Sequence, residues 1–198
     1  MVRIIGITGG IASGKSTVTE FLRRQGYQVI DADQVVHELQ ERGGRLYQAL
    51  LSTFGSAILQ EDGRLDRPKL GAMIFGNPEL LEQSSQIQNQ IICEELAGRR
   101  DLLAETEDIF FMDLPLLFEL QYEDWFDQIW LVDVTEETQL SRLMSRNALS
   151  QEEAEKRIAA QLSLREKRKR ADVLIDNNGS LEATRQQIRD ALQKLERS

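Results

Sequence analysis

Short apolar runs recur along the chain and alternate with longer stretches in which apolar positions repeat every three or four residues. The short runs are typical of buried β-strands, and the longer repeats are typical of amphipathic helices. Five runs predict strands, at residues 4–7, 28–30, 109–112, 129–134 and 173–175. Strands separated by helices predict an α/β fold with a five-stranded parallel sheet flanked by helices. Ligands of such folds gather at the carboxyl ends of the strands.

The region between residues 35 and 100 has helical spacing throughout and no strand pattern. Leu46 and Leu50 illustrate this spacing, as do Ile87 and Ile91. A simple crossover between two strands needs far fewer residues. The pattern therefore predicts a helical insertion over about residues 35–104 that holds the second substrate. The predicted core then comprises about residues 1–34, 105–135 and 171–198.

The stretch GITGGIASGKST, residues 6–17, directly follows the first predicted strand. Its spacing, Gly9-x-x-x-x-Gly14-Lys15-Ser16, is that of a phosphate-binding P-loop. Glycines let successive N–H groups point at phosphate oxygens, and a helix starting near Gly14 adds its positive end. Lys15 can reach the β- and γ-phosphates, and the Ser16 hydroxyl can bind Mg²⁺. The predicted contacts with ATP are Gly10, Ile11, Ala12, Ser13, Gly14, Lys15, Ser16 and Thr17.

Carboxylates follow the second and third predicted strands. Of Asp31 and Asp33, one can face a magnesium-bound phosphate and the other an acceptor hydroxyl. The alternative is that Asp33 only caps the next helix. Asp113 ends an apolar strand, as the magnesium-directing acid of P-loop enzymes does, although an aspartate in a turn is the simpler alternative.

An arginine-rich helical segment is predicted after the fourth strand. Thr135 can cap a helix that carries Arg142 and Arg146 on one face, and Ser150-x-x-Glu153 is a capping box that opens a further helix. Two aligned guanidinium groups on a hinged segment predict a lid over the transferring phosphate, at about residues 136–170. The alternative is a surface pair without a role.

Charge is unevenly distributed along the 198 residues. The net charge is −9, yet residues 142–170 hold nine Lys or Arg against four Glu. An acidic body argues against nucleic acid and membrane surfaces as partners, and the basic segment predicts a small polyphosphate. For residues 165–170 the alternative is a solvated helix face. With one cysteine, Cys93, no 18-residue apolar run and no leader-like start, we expect a cytoplasmic protein.

The motifs together resemble dephospho-coenzyme A kinases along essentially the whole chain. The resemblance lies in the P-loop with Asp31-Ala32-Asp33, in DLPLLFE at residues 113–119, in QLxRLMxR at residues 139–146, and in ADxxIDNxG at residues 171–179. It implies a P-loop kinase that uses ATP and Mg²⁺ to phosphorylate the ribose 3′-hydroxyl of dephospho-coenzyme A, the last step of coenzyme A synthesis. We expect a monomer or a weak homo-oligomer.

The resemblance assigns roles to individual residues. Lys15, Asp33 and Arg142 would be catalytic: Asp33 would orient or deprotonate the 3′-hydroxyl, and Arg142 would close on the phosphoryl group. Further contacts with ATP would come from Arg146, Asn177 and Gly179. The substrate would meet Asp31, Asp33, Leu116, Phe118 and Gln161, and the metal would meet Ser16 and Asp113.

Two positions depart from the family pattern. Family members usually have glycine where Ala12 stands, and alanine is acceptable there if its φ is negative. They also carry a His-Pro pair and an arginine that align with Asn89, Gln90 and Cys93. We expect other cations to compensate, and the candidates are Arg64, Arg67, Arg99 and Arg100.

Two other functions are compatible with the P-loop. The chain can be a kinase of another small hydroxyl compound or nucleoside monophosphate, or an ATP-dependent regulatory binder without catalysis. Asp33 and Arg142 argue against a mere binder, because binding needs neither of them.

Overall fold

The computed structural model describes residues 2–197. The strands are β1 (Arg3–Gly9), β2 (Val29–Asp31), β3 (Ile109–Asp113), β4 (Gln128–Asp133) and β5 (Val173–Asp176). The helices are α1 (Lys15–Arg24), α2 (Ala32–Gln40), α3 (Arg45–Phe54), α4 (Arg67–Phe75), α5 (Pro78–Ala104), α6 (Glu136–Asn147), α7 (Gln151–Ala159), α8 (Leu164–Arg170) and α9 (Leu181–Arg197). Every helix in this range is too short or too polar to cross a bilayer.

The five strands form one sheet in the order β2-β3-β1-β4-β5. β1 pairs in parallel with β3 and β4, and β4 pairs in parallel with β5. In this register Ile7 lies opposite Asp113, and Gly9 lies opposite Val132. The carboxyl ends of these strands therefore share one edge with the P-loop. The predicted α/β fold is confirmed, with strand bounds that differ from the predicted ones by one or two residues.

Side chains alternate along β4 and divide the sheet core into two layers. Trp130 and Val132 belong to a buried cluster with residues of α1 and α9, whereas Leu131 packs in a second cluster with Leu164 of α8. The rings of Phe111 and Trp130 meet edge to face, with centroids 5.4 Å apart. Helices thus cover both faces of the sheet, as predicted.

The chain divides into two compact units, residues 2–30 with 104–197, and residues 31–103. The second unit consists of α2, α3, α4 and nearly all of α5. Leu46, Leu50 and Ile58 are fully buried in it, and the Tyr47 hydroxyl donates to the Gly63 carbonyl at 2.7 Å. The region is helical, as predicted. That it holds the second substrate, and that residues 136–170 form a lid, stay predictions.

Candidate active site

The phosphate loop connects β1 to the N-terminus of α1. α1 begins at Lys15, after Gly14 with a φ of 87° in the left-handed region. A Cβ atom at Gly14 would lie 2.2 Å from Asn177 Nδ2, so a side chain fits neither the backbone conformation nor the space. The predicted helix start and its role in aiming N–H groups at phosphate thus have a structural basis.

Lys15 and Asp113 form an ion pair at the end of the loop. Lys15 Nζ lies 3.0 Å from Asp113 Oδ1, and the two side chains are only 16% and 8% exposed. Because so little of either side chain is exposed to solvent, the two charges stabilise each other. The P-loop lysine and the strand-end aspartate, predicted from separate motifs, therefore meet at one point.

A Mg²⁺ ion fits the groups that the chain offers beside this pair. Mg²⁺ prefers oxygen ligands and usually takes one or two protein groups, with phosphate oxygens and water completing its shell. The Asp113 carboxylate and the exposed Ser16 hydroxyl are such groups. Residues 2–197 contain no group of three or more His, Cys, Asp or Glu side chains placed to hold a metal by themselves. Binding together with ATP is the arrangement that fits this donor set.

Ala12 corrects one expectation. Its φ is 61°, in the left-handed region, so the condition of a negative φ on which alanine was acceptable is not met. This conformation costs a residue with a Cβ about 1–2 kcal/mol. Glycine would adopt it without that cost, so the loop keeps a conformation that suits glycine although alanine occupies the position.

Three side-chain amides bind the backbone of the phosphate loop. Gln161 Oε1 accepts from the Ile11 N–H at 2.8 Å, and Gln139 Nε2 donates to the Ile11 carbonyl at 2.9 Å. Asn177 Nδ2 donates to the Ser13 carbonyl at 2.8 Å, while its Oδ1 accepts from the Thr184 hydroxyl at 3.0 Å. The predicted binding residues Gln161 and Asn177 are thus supports of the loop in this structure.

Gln139 was not singled out as a site residue by the sequence. It lies one helical turn before Leu143, and both side chains are buried on the same face of α6. A Cβ atom at Gly10 would lie 2.4 Å from Gln139 Nε2, so glycine allows this close approach. The sequence did contain one signal for Gln139, a polar residue at a helical position predicted to be buried. Buried polar side chains usually have a hydrogen-bond partner.

The two arginines predicted for the lid lie in different surroundings. An Arg142 terminal nitrogen donates to the Asn177 carbonyl at 2.9 Å, and the guanidinium lies beside Gly14. Arg146 is exposed and binds its neighbour Asn147 at 2.9 Å. Only Arg142 is therefore already at the phosphate loop. Thr135 and the Ser150–Glu153 capping box begin α6 and α7, as predicted.

The basic run at residues 165–170 anchors α8. Lys167 is fully buried, and its Nζ lies 2.9 Å from Glu119 Oε1 and 3.1 Å from the Pro115 carbonyl. Arg168 donates to Asp133 Oδ2 at 2.7 Å, and this hydrogen bond raises the pKa of Arg168. Arg170 pairs with Glu123 and lies over the Phe118 ring. The solvated-face alternative is therefore wrong for Lys167 and holds for Arg165 and Lys169, which are exposed.

Asp31, the last residue of β2, and Asp33 belong to the second unit and have distinct roles at its first helix. Asp31 caps α2, because its Oδ1 accepts from the Gln34 N–H at 3.1 Å. Asp33 lies in the first turn and is exposed, and its carboxylate makes no hydrogen bond or ion pair within residues 2–197. The alternative in which Asp33 caps this helix is wrong, since Asp31 does so.

The remaining predicted positions are spread over both units. Leu116 is 39% exposed, whereas Phe118 is buried at 2%. Gly179 has open space around it. On α5, Asn89 and Gln90 are exposed and Cys93 is half-buried.

The candidate compensating cations differ in their pairing. Arg99 binds Glu38 at 2.7 Å and Glu95 at 2.9 Å, and its hydrogen bond lowers the pKa of the Glu38 carboxyl. Arg64 pairs with Asp62 at 2.6 Å, and Arg100 pairs with Asp101 at 2.7 Å. Arg67, exposed at the first residue of α4, makes no ion pair with any residue that the structure describes.

Comparisons of sequence and of structure with known proteins both find dephospho-CoA kinases. The profile of the family described as Dephospho-CoA kinase matches residues 3–183. The Dephospho-CoA kinase of Streptococcus mutans is 60% identical over 196 residues, which cover 99% of each chain. A solved structure from Thermus thermophilus has a TM-score of 0.82 at 35% identity, and Dephospho-CoA kinase from Campylobacter jejuni has a TM-score of 0.75 at 28% identity. Both alignments cover 98% of each chain.

Proposed function

The chain belongs to the dephospho-CoA kinase family, and we propose that its P-loop is the site where the γ-phosphoryl group of ATP passes to the ribose 3′-hydroxyl of dephospho-coenzyme A. The products are ADP and coenzyme A, so the reaction is the final step of coenzyme A biosynthesis. The observation that carries the assignment of the site is the pairing of Asp113 with Lys15, the first residue of α1, at 3.0 Å.

The phosphate loop binds the nucleotide and stabilises the charge that develops during transfer. Lys15, which pairs with the Asp113 carboxylate in this structure, turns to the β- and γ-phosphate oxygens when ATP binds. Arg142 lies beside Gly14 and needs only a side-chain movement to reach the same oxygens. When bound, Mg²⁺ would neutralise phosphate charge next to Asp113 and Ser16. The loop amides and Thr17 hold the phosphates, and Arg146 and Gly179 serve the remainder of the nucleotide.

Asp33 is the proposed group for the acceptor. As the 3′-oxygen forms its bond to the γ-phosphorus, the bond to the ADP oxygen breaks, and the hydroxyl proton passes to the Asp33 carboxylate. An exposed carboxylate with no partner among the described residues is free to take this role. Asp31, Leu116 and Phe118 are the other proposed substrate contacts.

Arg67 is the proposed cation for the substrate's own phosphates in the second unit. Arg64, Arg99 and Arg100 each pair with a carboxylate, whereas Arg67 is exposed without one among the described residues. An unpaired guanidinium binds phosphate without first giving up a partner. The cytoplasmic location and the monomeric or weakly oligomeric state stay predictions.

Steady-state kinetics with different acceptors test the function. The value of kcat/KM is measured with ATP and Mg²⁺ for dephospho-coenzyme A, adenosine and AMP, and the phosphorylated product is identified by mass. We expect dephospho-coenzyme A to be preferred by at least about a hundredfold, equivalent to about 2.7 kcal/mol. Preference for another acceptor would refute the substrate but leave the phosphoryl transfer intact. ADP release that no acceptor stimulates would refute the kinase.

A further inference from the structure

One residue of the phosphate loop, Ile11, is held at both of its backbone groups by glutamines from distant parts of the chain. Gln161, between α7 and α8, accepts from its N–H, and Gln139, in the first turn of α6, donates to its carbonyl. The bonds measure 2.8 Å and 2.9 Å. Both glutamines belong to the segment predicted as the lid. Two distant parts of that segment are thus hydrogen-bonded to the same residue of the phosphate loop.

Gln139 holds the peptide unit that sets the conformation of Ala12, and Gln161 holds the peptide unit before it. The Ile11 carbonyl belongs to the peptide unit joining Ile11 to Ala12, and rotation of this unit changes φ at Ala12. The φ of Ala12, 61°, lies in the left-handed region, which a residue with a Cβ rarely adopts without restraint. The Gln139 bond supplies that restraint directly, and the Gln161 bond fixes the peptide unit on the other side of Ile11.

We propose that Gln139 and Gln161 are positioning residues that keep the phosphate loop in its nucleotide-binding form. They act on the phosphates only through the backbone. Gln139 stops the peptide unit before Ala12 from rotating toward negative φ, and Gln161 fixes the preceding unit, between Gly10 and Ile11. Such a rotation would turn loop N–H groups away from the nucleotide. The proposal rests on the proposed use of the loop for ATP, but it does not depend on which acceptor is phosphorylated.

Nucleotide titrations of Gln161→Met test the proposal. Methionine has similar length and no acceptor for the Ile11 N–H, and Gln161 is only half-buried, so the variant is expected to fold. We expect ADP to bind about tenfold more weakly and AMP to change by less than about twofold, because the loop amides and Lys15 serve the β-phosphate that AMP lacks. Isothermal titration calorimetry gives both affinities, and thermal melting checks the fold. A loss of general stability would weaken both nucleotides equally.

Gln139→Met, made alone and in a chain carrying Ala12→Gly, separates positioning from packing, because Gln139 holds the peptide unit before Ala12. Glycine adopts a φ near 61° without a Cβ penalty, so the Gln139 bond is less needed. We expect Gln139→Met alone to weaken ADP binding by about tenfold, and this loss to fall to about threefold or less beside Ala12→Gly, a coupling that a double-mutant cycle measures. Equal losses with and without Ala12→Gly would overturn the proposal, as would unchanged ADP affinity in Gln161→Met alone.

Two further variants complete the test. Gln151→Met is the control, because Gln151 lies in α7 and binds only the exposed Glu155, at 2.7 Å; ADP affinity is expected to stay unchanged. Gln161→Asn keeps the amide but shortens its reach, so it should lose ADP affinity as Gln161→Met does, and it replaces that variant if methionine destabilises the chain. If the unmodified chain does not bind ADP, the proposed ATP site fails together with this proposal. If only the acceptor proves different, the titrations are unaffected.

Discussion

Replacing the buried Lys167 with methionine should destabilise the protein strongly, although the residue lies in a run of basic side chains. Lys167 is fully buried, and its ammonium group lies between Glu119 Oε1 and the Pro115 carbonyl. Methionine fills a similar volume but leaves the Glu119 carboxylate with only the Leu162 N–H, at 2.9 Å. The change therefore removes a charge partner and not packing.

The size of the effect follows from the burial of the two partners. Removing one partner of a fully buried ion pair costs about 3–5 kcal/mol. The Glu119 side chain is 20% exposed, so water recovers part of this loss. The Thr8 hydroxyl also remains for the Pro115 carbonyl, at 3.3 Å. We therefore expect a loss of about 3 kcal/mol in the free energy of unfolding, near the lower end of that range.

Urea unfolding, followed by circular dichroism in the far and near ultraviolet, measures the change. Lys169→Met is the matched control, since Lys169 lies two residues further along α8, is 59% exposed and pairs only with Glu166. It should cost at most about 0.5 kcal/mol. With Glu119→Gln already in place, Lys167→Met should cost at least about 1 kcal/mol less, because no buried charge is left behind. A Lys167→Met cost close to that of Lys169→Met, or one that Glu119→Gln does not reduce, would refute this reasoning.

Two substitutions test the proposed chemistry. Asp33→Asn keeps the shape of the side chain but removes its charge. We expect kcat to fall by about 10²–10⁴ while the melting temperature hardly changes, because Asp31 caps α2. A loss of kcat below about threefold would remove Asp33 from proton transfer. Arg142→Lys keeps the charge but loses the planar group that binds the Asn177 carbonyl. We expect kcat to drop by about tenfold or more, with ATP affinity less affected. Arg146→Lys changes an exposed residue and should reduce kcat less.

Much of the fold could be predicted because its signals are local. Each strand of the sheet is a short apolar run, and buried strands between helices admit few arrangements. The P-loop was equally predictable, since its glycines, Lys15 and Ser16 are adjacent in the chain. Asp113 could be placed with them because the carboxyl ends of parallel strands share one edge of the sheet.

What the sequence did not reveal depends on contacts between distant residues. The φ of Ala12 is set by the loop around it, and alanine alone indicates the opposite sign. Gln139 and Ile11 are separated by 128 residues, and nothing near either of them predicts their hydrogen bond. The basic run at residues 165–170 has the composition of a solvated helix face, and only the fold shows that Lys167 points at Glu119.

These contacts also limit which part of the predicted lid can move. Lys167 fixes α8 to the segment after β3, and Arg168 fixes it to the last residue of β4. Gln139 fixes the first turn of α6 to the phosphate loop. Between these anchors lies α7, in which Ala154 is the one buried residue within the described chain. It is bounded by Ala148, with a φ of 50°, and by Gln161.

We infer that α7 is the moving element, and hydrogen exchange should then be faster in α7 than in α6 or α8. Uniform protection across the three helices would mean that residues 136–170 stay in place as a whole.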